Sequence, residues 1–492
     1  MHTFYSQALC TMPRGQSSDM KLIMKKAFLL VLTSICFDTY AQQGNDKYSS
    51  NKTEIIGVWR SIGDGYLLEL DNKAITLYSY TSKYCYTEQN DYVIDLLNNS
   101  SKFYLNRTRD TLSVYLHDFG NKTKTLQDEK RFYKLNSLPD NCKSLTEAQQ
   151  NDPEYLFELF YSTLKENYAF AKERNIDWEN IYRDYRPKIT SKTNQSDLFN
   201  LMGEIVTMTK DQHTKIISKE NVTKQYSGVP TALRLGESFK EQDSIKNFSD
   251  FTDRFFKTSY ENISKELLRG KGKKVANGKI EWGEVTPDIG YIHLHSLTGF
   301  ASGTLTRKQH LDTLSFYMTQ IMESFKDKKA VIVDESFNFG GYDAAGLTIS
   351  AYFTDKPVNV YTKYIFQNGD FLKGTNFMIN PSAKYQFTKP VYLLTTDISR
   401  SAAESFAMQM KTLPNVKLVG TNTLGIISDM LGKSIGEYYL TLSNEKYLTA
   451  KGDMYEVKGV DVDIPLIVFP KDNIFNGHRD AVRQVIKIIE SQ

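Results

Sequence analysis

The sequence predicts a multidomain α/β protein: a small antiparallel β-domain, then a helical segment, then an α/β core. Three observations predict it. Between residues 55 and 134, short runs of alternating polar and apolar residues are broken by Asp, Asn and Gly, the pattern of antiparallel strands joined by turns. From Pro153 the spacing changes to three and four, placing Tyr155, Leu156, Leu159, Phe160, Leu164 and Tyr168 on one helical face. From Ile289 onward, apolar strands alternate with helical patterns of roughly 10 to 20 residues, which argues for a mainly parallel sheet covered by helices. A length of 492 residues fits such a division at about 150 residues per domain.

Taken in order, residues 1–41 read as an address. Lys25-Lys26, the apolar run Ala27 to Phe37, and Thr39-Tyr40-Ala41 follow the charge, core and small-residue order of a secretory signal peptide. The run is too short to span a bilayer. Met20 or Met24 is the more natural start. Thr33 stands where a lipidated Cys36 would be preceded by an apolar residue, so a lipid anchor is not expected. The expectation is an exported protein, periplasmic or secreted. The net charge of +3 falls to about +1 once the leader is set aside, which calls for neither nucleic acid nor acidic lipid as a partner.

After the leader only Cys85 and Cys142 remain. In an oxidising compartment they either pair or stay as two buried thiols, and the sequence leaves both open. No Cys-His cluster has metal-ligand spacing and no Gly-rich loop has phosphate-cradling context, so neither metal nor cofactor is expected.

The β-rich region at 50–138 opens with Gly57-x-Trp59, which is similar to lipocalin-like modules, and reads as an independently folded unit with its own short linker. The helical segment spans 150–218. Its second helix starts at Ile176-Asp177-Trp178, and its third runs from Ser196 to Thr209, capped by Ser196 or Asp197. It ends in Asp211-Gln212-His213-Thr214. A variable connector, 219–284, is polar and basic with a weak helix near 251–268. The α/β core at 285–470 follows, with strands at Ile289–Leu294 and Ala330–Asp334 and final strands at 438–442 and 460–469. A closing helix occupies 471–492.

Within the core, the buried run Val391-Tyr392-Leu393-Leu394 stops at a polar turn, and a helix marked by Ala403, Phe406, Ala407 and Met410 begins almost on Ser401. That places a hydroxyl at a helix N-terminus, where free N–H groups and the dipole favour negative charge. Such a serine is either a helix cap, with Glu404 completing a capping box, or a nucleophile. A second strand, Ala330–Asp334, runs into Asn338-Phe339-Gly340-Gly341 before another helix. Side by side, two such ends offer a nucleophile and a site for an oxyanion.

Asn338-x-Gly340-Gly341, Ser401-Ala402-Ala403-Glu404, Gly420-x-x-Thr423-x-Gly425 and Glu456-x-x-Gly459-x-x-x-Asp463 resemble, in order and spacing, the C-terminal-processing (tail-specific) and tricorn-core serine peptidases. The resemblance spans about residues 150 to 470. It implies a Clp-protease/crotonase-like core with Ser401 as nucleophile. One branch of that family carries a lysine base after the glycine of the third motif. Ile426 stands there, so the histidine-using branch is implied, with His213 of Asp-x-His-Thr as base. His293 or His295, alternating on the first core strand, are the other candidates. His117 in the β-domain, His310 on a polar helix face and His478 at the start of the final helix read as solvated.

By the same resemblance Glu456 orients the imidazole, and Gly340, its neighbour Gly341 and the backbone of Ala402 form the oxyanion hole, where each donor is worth roughly 2.7 to 4 kcal/mol. The sequence also departs from the family: Glu335-Ser336 replaces the usual Leu-Arg after Asp334, Gln212 stands where some relatives have a serine, and Val462 replaces a common proline. The implied function is an exported serine endopeptidase acting on unfolded chains or polypeptide termini, with a polypeptide as its partner. The alternative is a catalytically degenerate binding protein for an apolar ligand or polypeptide on the same fold.

Overall fold

A computed structural model of the chain describes residues 54–89, 102–115, 129–241, 245–303, 305–382 and 384–492; the leader and His117 lie outside the described residues. The core is a seven-stranded sheet in the order Lys273–Val275, Ile280–Thr286, Ile289–Leu294, Ala330–Asp334, Val391–Thr395, Val416–Gly420 and Ile464–Pro465. The last five run parallel. Ala330–Asp334 and Val391–Thr395 are buried at every position, as expected of strands covered on both faces.

Helices Arg307–Ser324 and Ala402–Lys411 cover one face through Leu314, Met318, Ile321, Phe406 and Met410. Phe248–Glu261 and Gly477–Glu490 cover the other through Phe251, Phe255, Val482 and Val485. The parallel register sets Asp334 beside Leu394, so the turns after these two strands leave the same edge of the sheet. The crevice at the carboxyl ends of parallel strands is where α/β sheets hold ligands.

Beyond its helices, the segment before the core contributes a strand. Lys215–Ile217 pairs with Tyr438–Ser443, matching Ile216 with Leu440, in a four-stranded sheet completed by Thr223–Gln225 and Met430–Ile435. Helix Gln195–Met208 is capped by Asn194 rather than by Ser196 or Asp197. Asn194 has the extended backbone of an N-cap, and its side chain accepts the Asp197 amide at 2.9 Å. The last core strand is shorter than 460–469, covering only Ile464–Pro465.

The N-terminal strands form one open eight-stranded sheet whose edges are Lys102–Leu105 and Cys142–Lys143. Cys85 and Cys142 are joined by a disulfide. An open sheet needs a cover for its apolar face, and neighbouring elements supply it. Trp59, Tyr66, Leu68 and Tyr86 share one buried cluster with Leu156, Phe157 and Phe160 of helix Pro153–Asn167 and with Leu431, Ile435 and Leu440 of the hairpin beyond. Polar contacts reinforce it: Tyr66 donates to the Gly432 carbonyl, Tyr86 donates to the Ser434 carbonyl at 2.6 Å, and Glu88 accepts the Ser434 amide at 3.1 Å. The expectation of an independently folded module is thereby corrected. Among the described residues the larger apolar cluster of the sheet is shared with the helical segment, and only a small one, Leu67, Tyr78, Cys85 and Cys142, is its own.

Removing residues 54–145 would uncover this shared cluster. The expected result is a truncated chain with no cooperative thermal transition by circular dichroism, against a single transition for the full chain. A truncated protein that melts cooperatively at the full-length temperature would show the shared core to be dispensable.

Candidate active site

Ser401 takes up φ 60° and ψ −130° at the turn between strand Val391–Thr395 and helix Ala402–Lys411. An ordinary N-cap residue has β-region dihedrals. A non-glycine residue in this conformation costs about 1 to 3 kcal/mol and persists only where its surroundings over-determine it.

The surroundings are specific. Glu404, fully buried, accepts from the Ser401 amide at 3.3 Å, Thr423 Oγ1 at 2.6 Å, the Gly425 amide at 2.6 Å and the Ile426 amide at 2.8 Å. Ser399 Oγ donates to the Glu335 carbonyl at 2.8 Å and Thr396 Oγ1 to the Ser336 carbonyl at 2.6 Å, so the serine turn is stitched to the glycine turn. Asn338 holds that second turn, donating to the Leu294 carbonyl at 3.0 Å and accepting the Gly340 amide at 2.8 Å. A Cβ on Gly340 would sit 2.7 Å from the Arg400 carbonyl, 2.8 Å from Ser401 Cβ and 3.0 Å from the Ala402 nitrogen, which is why glycine stands there.

His213 is placed by the strand that follows it. Thr441 Oγ1 donates to the His213 carbonyl at 2.6 Å, and Asp211 accepts the His213 amide at 2.8 Å and Thr214 Oγ1 at 2.9 Å. The ring is buried, and its Nδ1 has no hydrogen-bond partner among the described residues. Burial lowers its pKa to about 4; Asp211 and the Ser428 carbonyl favour the protonated form, while Lys215 and Arg400 oppose it. Gln212 is tied to the residue before the serine, accepting Arg400 Nη1 at 2.5 Å.

Ser401, His213, Gly340, Gly341 and Ile426 line one cavity of about 360 Å³. Asp429 also lines it and is paired with the buried Lys363 at 3.0 Å. Glu456 is near but does not reach the cavity. Its carboxylate meets Arg174 Nη2 at 3.0 Å and accepts the amides of Ile427 at 2.8 Å and Ser428 at 3.0 Å. Burial pushes this carboxyl up, and the guanidinium and amide donors pull it back. The direct Glu456–imidazole contact expected from the sequence is absent among the described residues. Glu456 holds the amide of Ser428, whose carbonyl faces His213, so it stands one residue removed from the ring. Arg174, which also donates to the carbonyls of Lys210 at 2.7 Å and Gly425 at 3.0 Å, carried no signal in the sequence.

The remaining histidines lie elsewhere. His478 is buried, not solvated: its Nε2 is 2.7 Å from Asp334 Oδ2, with His293 Nδ1 at 3.5 Å from the same oxygen. His310 is buried too, accepting the Ala301 amide at 3.2 Å. Glu335, one of the family departures, is fully buried with neither carboxyl oxygen hydrogen-bonded among the described residues. Burial, with Glu404 and Asp334 nearby, pushes it well above the usual carboxylate range.

Residues 288–466 match peptidase family S41, and residues 149–207 match the Tricorn protease C1 domain. The Carboxy-terminal processing protease CtpA of Bacillus subtilis (strain 168) is 28% identical over 152 residues, covering 30% of this chain and 31% of that protein. The match thus spans about a third of the curated relative's length. A solved structure of a candidate peptidase from Parabacteroides merdae ATCC 43184 is similar in fold, with a TM-score of 0.55 and 22% identity over 69% of this chain and 96% of that one.

The backbone of Ser401 separates the two meanings of a serine at a helix start. For an ordinary N-cap, Ser→Gly costs a few tenths of a kcal/mol. Here Ser401→Gly is expected to raise the unfolding free energy by about 1 kcal/mol, because glycine accepts φ 60° without strain. Urea denaturation of the two proteins measures it, and a loss of stability would return Ser401 to a capping role.

Proposed function

We propose, from the premise that the α/β core of this chain belongs to peptidase family S41, that the protein is an exported serine endopeptidase hydrolysing peptide bonds of unfolded chains or polypeptide termini. Ser401 Oγ attacks the scissile carbonyl while His213 takes its proton. The Ala402 amide and the backbone of Gly341 hold the oxyanion, since the Gly340 amide expected there already donates to Asn338 Oδ1 at 2.8 Å. His213 then gives the proton to the leaving amine, and a water repeats the cycle to release the acyl product. Asp211 and the Arg174–Glu456 pair act as positioning residues, the first through the His213 backbone and the second through Ser428. The observation that carries the reading is the strained Ser401 opening onto a cavity that His213 and both glycines also line.

A second reading, a binding protein on the same fold, draws on one observation: the carboxylate of Glu456 is occupied by Arg174 rather than by the imidazole. The two readings differ in a single measurement. A fluorophosphonate probe is expected to label the wild-type protein at Ser401 and to leave Ser401→Ala unlabelled. His213→Ala is expected to lower kcat/KM by roughly a hundred- to ten-thousandfold. Wild-type protein that takes no probe and cleaves no unfolded polypeptide would favour the binding protein.

The pH profile carries the sign of the histidine environment. The base acts in its neutral form, and burial holds His213 at about 4, below the ordinary value. The His213 limb of the activity profile is therefore expected to rise as pH increases through about 4, provided the fold is intact. Lys215→Gln removes a charge that opposes protonation, so it should move the limb to higher pH. A limb that stays at the ordinary histidine value in the wild type, unmoved in Lys215→Gln, would remove His213 as the base.

A further inference from the structure

Besides His213, the cavity is bordered by the charged residues Lys215, Lys279, Arg400 and Asp429. Cations outnumber carboxylates among the described lining residues, and the carboxylate there, Asp429, lies 3.0 Å from Lys363, a lysine that also meets Glu445 at 2.7 Å and Asp343 at 3.7 Å. Arg400 is held by Gln212 and lies 4.4 Å over the Phe339 ring. Lys279 differs from these. Among the described residues its ammonium has neither an ion pair nor a hydrogen bond, although the side chain is half-buried. Partial burial lowers its pKa. A carboxylate arriving there meets an ammonium in a partly shielded setting, where a charge-assisted hydrogen bond is stronger than one between neutral groups.

The position is built rather than incidental. Lys279 closes the hairpin between Lys273–Val275 and Ile280–Thr286, whose turn holds Ala276, Asn277 and Gly278 at φ 51°, 54° and 73°. Ala276 is a non-glycine residue in a strained conformation, and the turn is pinned from outside: Asn277 Nδ2 donates to the Gly299 carbonyl at 3.1 Å. The Lys279 stem lies along Gly299, its Cε 3.2 Å from where a Cβ would be. The segment containing Gly299 is in turn bound to the glycine turn, with the Leu297 amide donating to the Gly340 carbonyl and the Tyr342 amide to the Leu297 carbonyl, both at 3.0 Å. One continuous wall thus carries the ammonium and the backbone proposed to hold the oxyanion.

We infer that Lys279 is a specificity-determining residue whose ammonium takes a carboxylate carried by the polypeptide substrate, from an acidic side chain or from the chain terminus. The inference rests on the peptidase reading for the identity of the ligand, and its test separates the two. A charge-assisted contact of this kind discriminates by roughly tenfold or more.

Binding is measured first, by fluorescence anisotropy on Ser401→Ala, so that no turnover is required. Peptides of one unfolded sequence carry Glu or Gln at each position in turn with both ends blocked, and a further pair carries a free or amidated C-terminus. At least one carboxylate peptide is expected to bind tenfold or more tightly than its neutral partner. Lys279→Gln should bring the two together, and Lys279→Glu should reverse the order in favour of Lys-bearing peptides. Circular dichroism melting of each variant checks that it is folded. Preference among the internal Glu peptides assigns the subsite to a side chain; preference in the terminal pair alone assigns it to the α-carboxylate. Equal affinity of all carboxylate and neutral pairs, or a preference that survives in folded Lys279→Gln, overturns the inference. Probe labelling of the wild type at Ser401 reports separately on the peptidase reading: carboxylate binding without labelling would retain the anion site and remove the chemistry.

Discussion

The core depends on one buried carboxylate. Glu404 gathers the amide of Ser401, the hydroxyl of Thr423 and the amides of Gly425 and Ile426, so a residue of the second motif physically ties in the third. Thr423 passes the link onward, since the Val460 amide donates to its hydroxyl at 2.7 Å. The glycines show how close this packing is: a Cβ on Gly459 would lie 2.0 Å from the Thr423 carbonyl oxygen, and one on Gly425 2.6 Å from the Val457 backbone. Burial pushes the Glu404 carboxyl up to about 7, and its four donors work against that rise. What looks like a capping box in the sequence is a junction of three loops, and the strain at Ser401 is stored against it.

That junction also explains how much of the site was legible. The turn at Ser401 and the paired glycines at 340–341 could be read because each is a local event, an apolar strand meeting a polar turn and a helical period. The core sheet was legible for the same reason. His213 could be singled out by its neighbours, but its placement depends on Ile216 pairing with Leu440, a contact between residues 224 apart in sequence that no local pattern encodes. Arg174 and Lys279 are single residues whose roles come from what the fold sets beside them. His478 read as solvated because its helix opens with polar residues; it is buried because Asp334, far away in sequence, takes its ring nitrogen.

The N-terminal sheet fails to be legible in a different way. Alternation tells which side chains of a strand face inward, not what covers them. Trp59 and Leu68 satisfy the pattern whether the sheet closes on itself or borrows a cover, and the choice is made by Phe157, Phe160 and Leu431, outside the sheet. The cost of that arrangement is independence, and its consequence is that the hairpin Met430–Ser443 is held from two sides. The same hairpin pairs with the strand after His213 and bears Met430, which lines the cavity. The N-terminal sheet therefore braces the hairpin beside the proposed base, and none of its described residues lines the cavity.

Electrostatics connects the proposed base to the proposed substrate preference. Lys215 and Arg400 add to burial in keeping His213 neutral, the form a general base needs, and Lys279 adds a further positive charge to the cavity lining. Such a field has two effects of one sign. It opposes the imidazolium that forms when Ser401 is deprotonated, and it attracts an anionic ligand. A carboxylate bound at Lys279 adds to the negative charge of Asp429 at the cavity lining. By Coulomb's law it favours imidazolium formation at the step where the proton must move. In this reading the cations that attract the substrate also leave the site less able to form the imidazolium until a carboxylate is present, which links recognition to chemistry through charge alone.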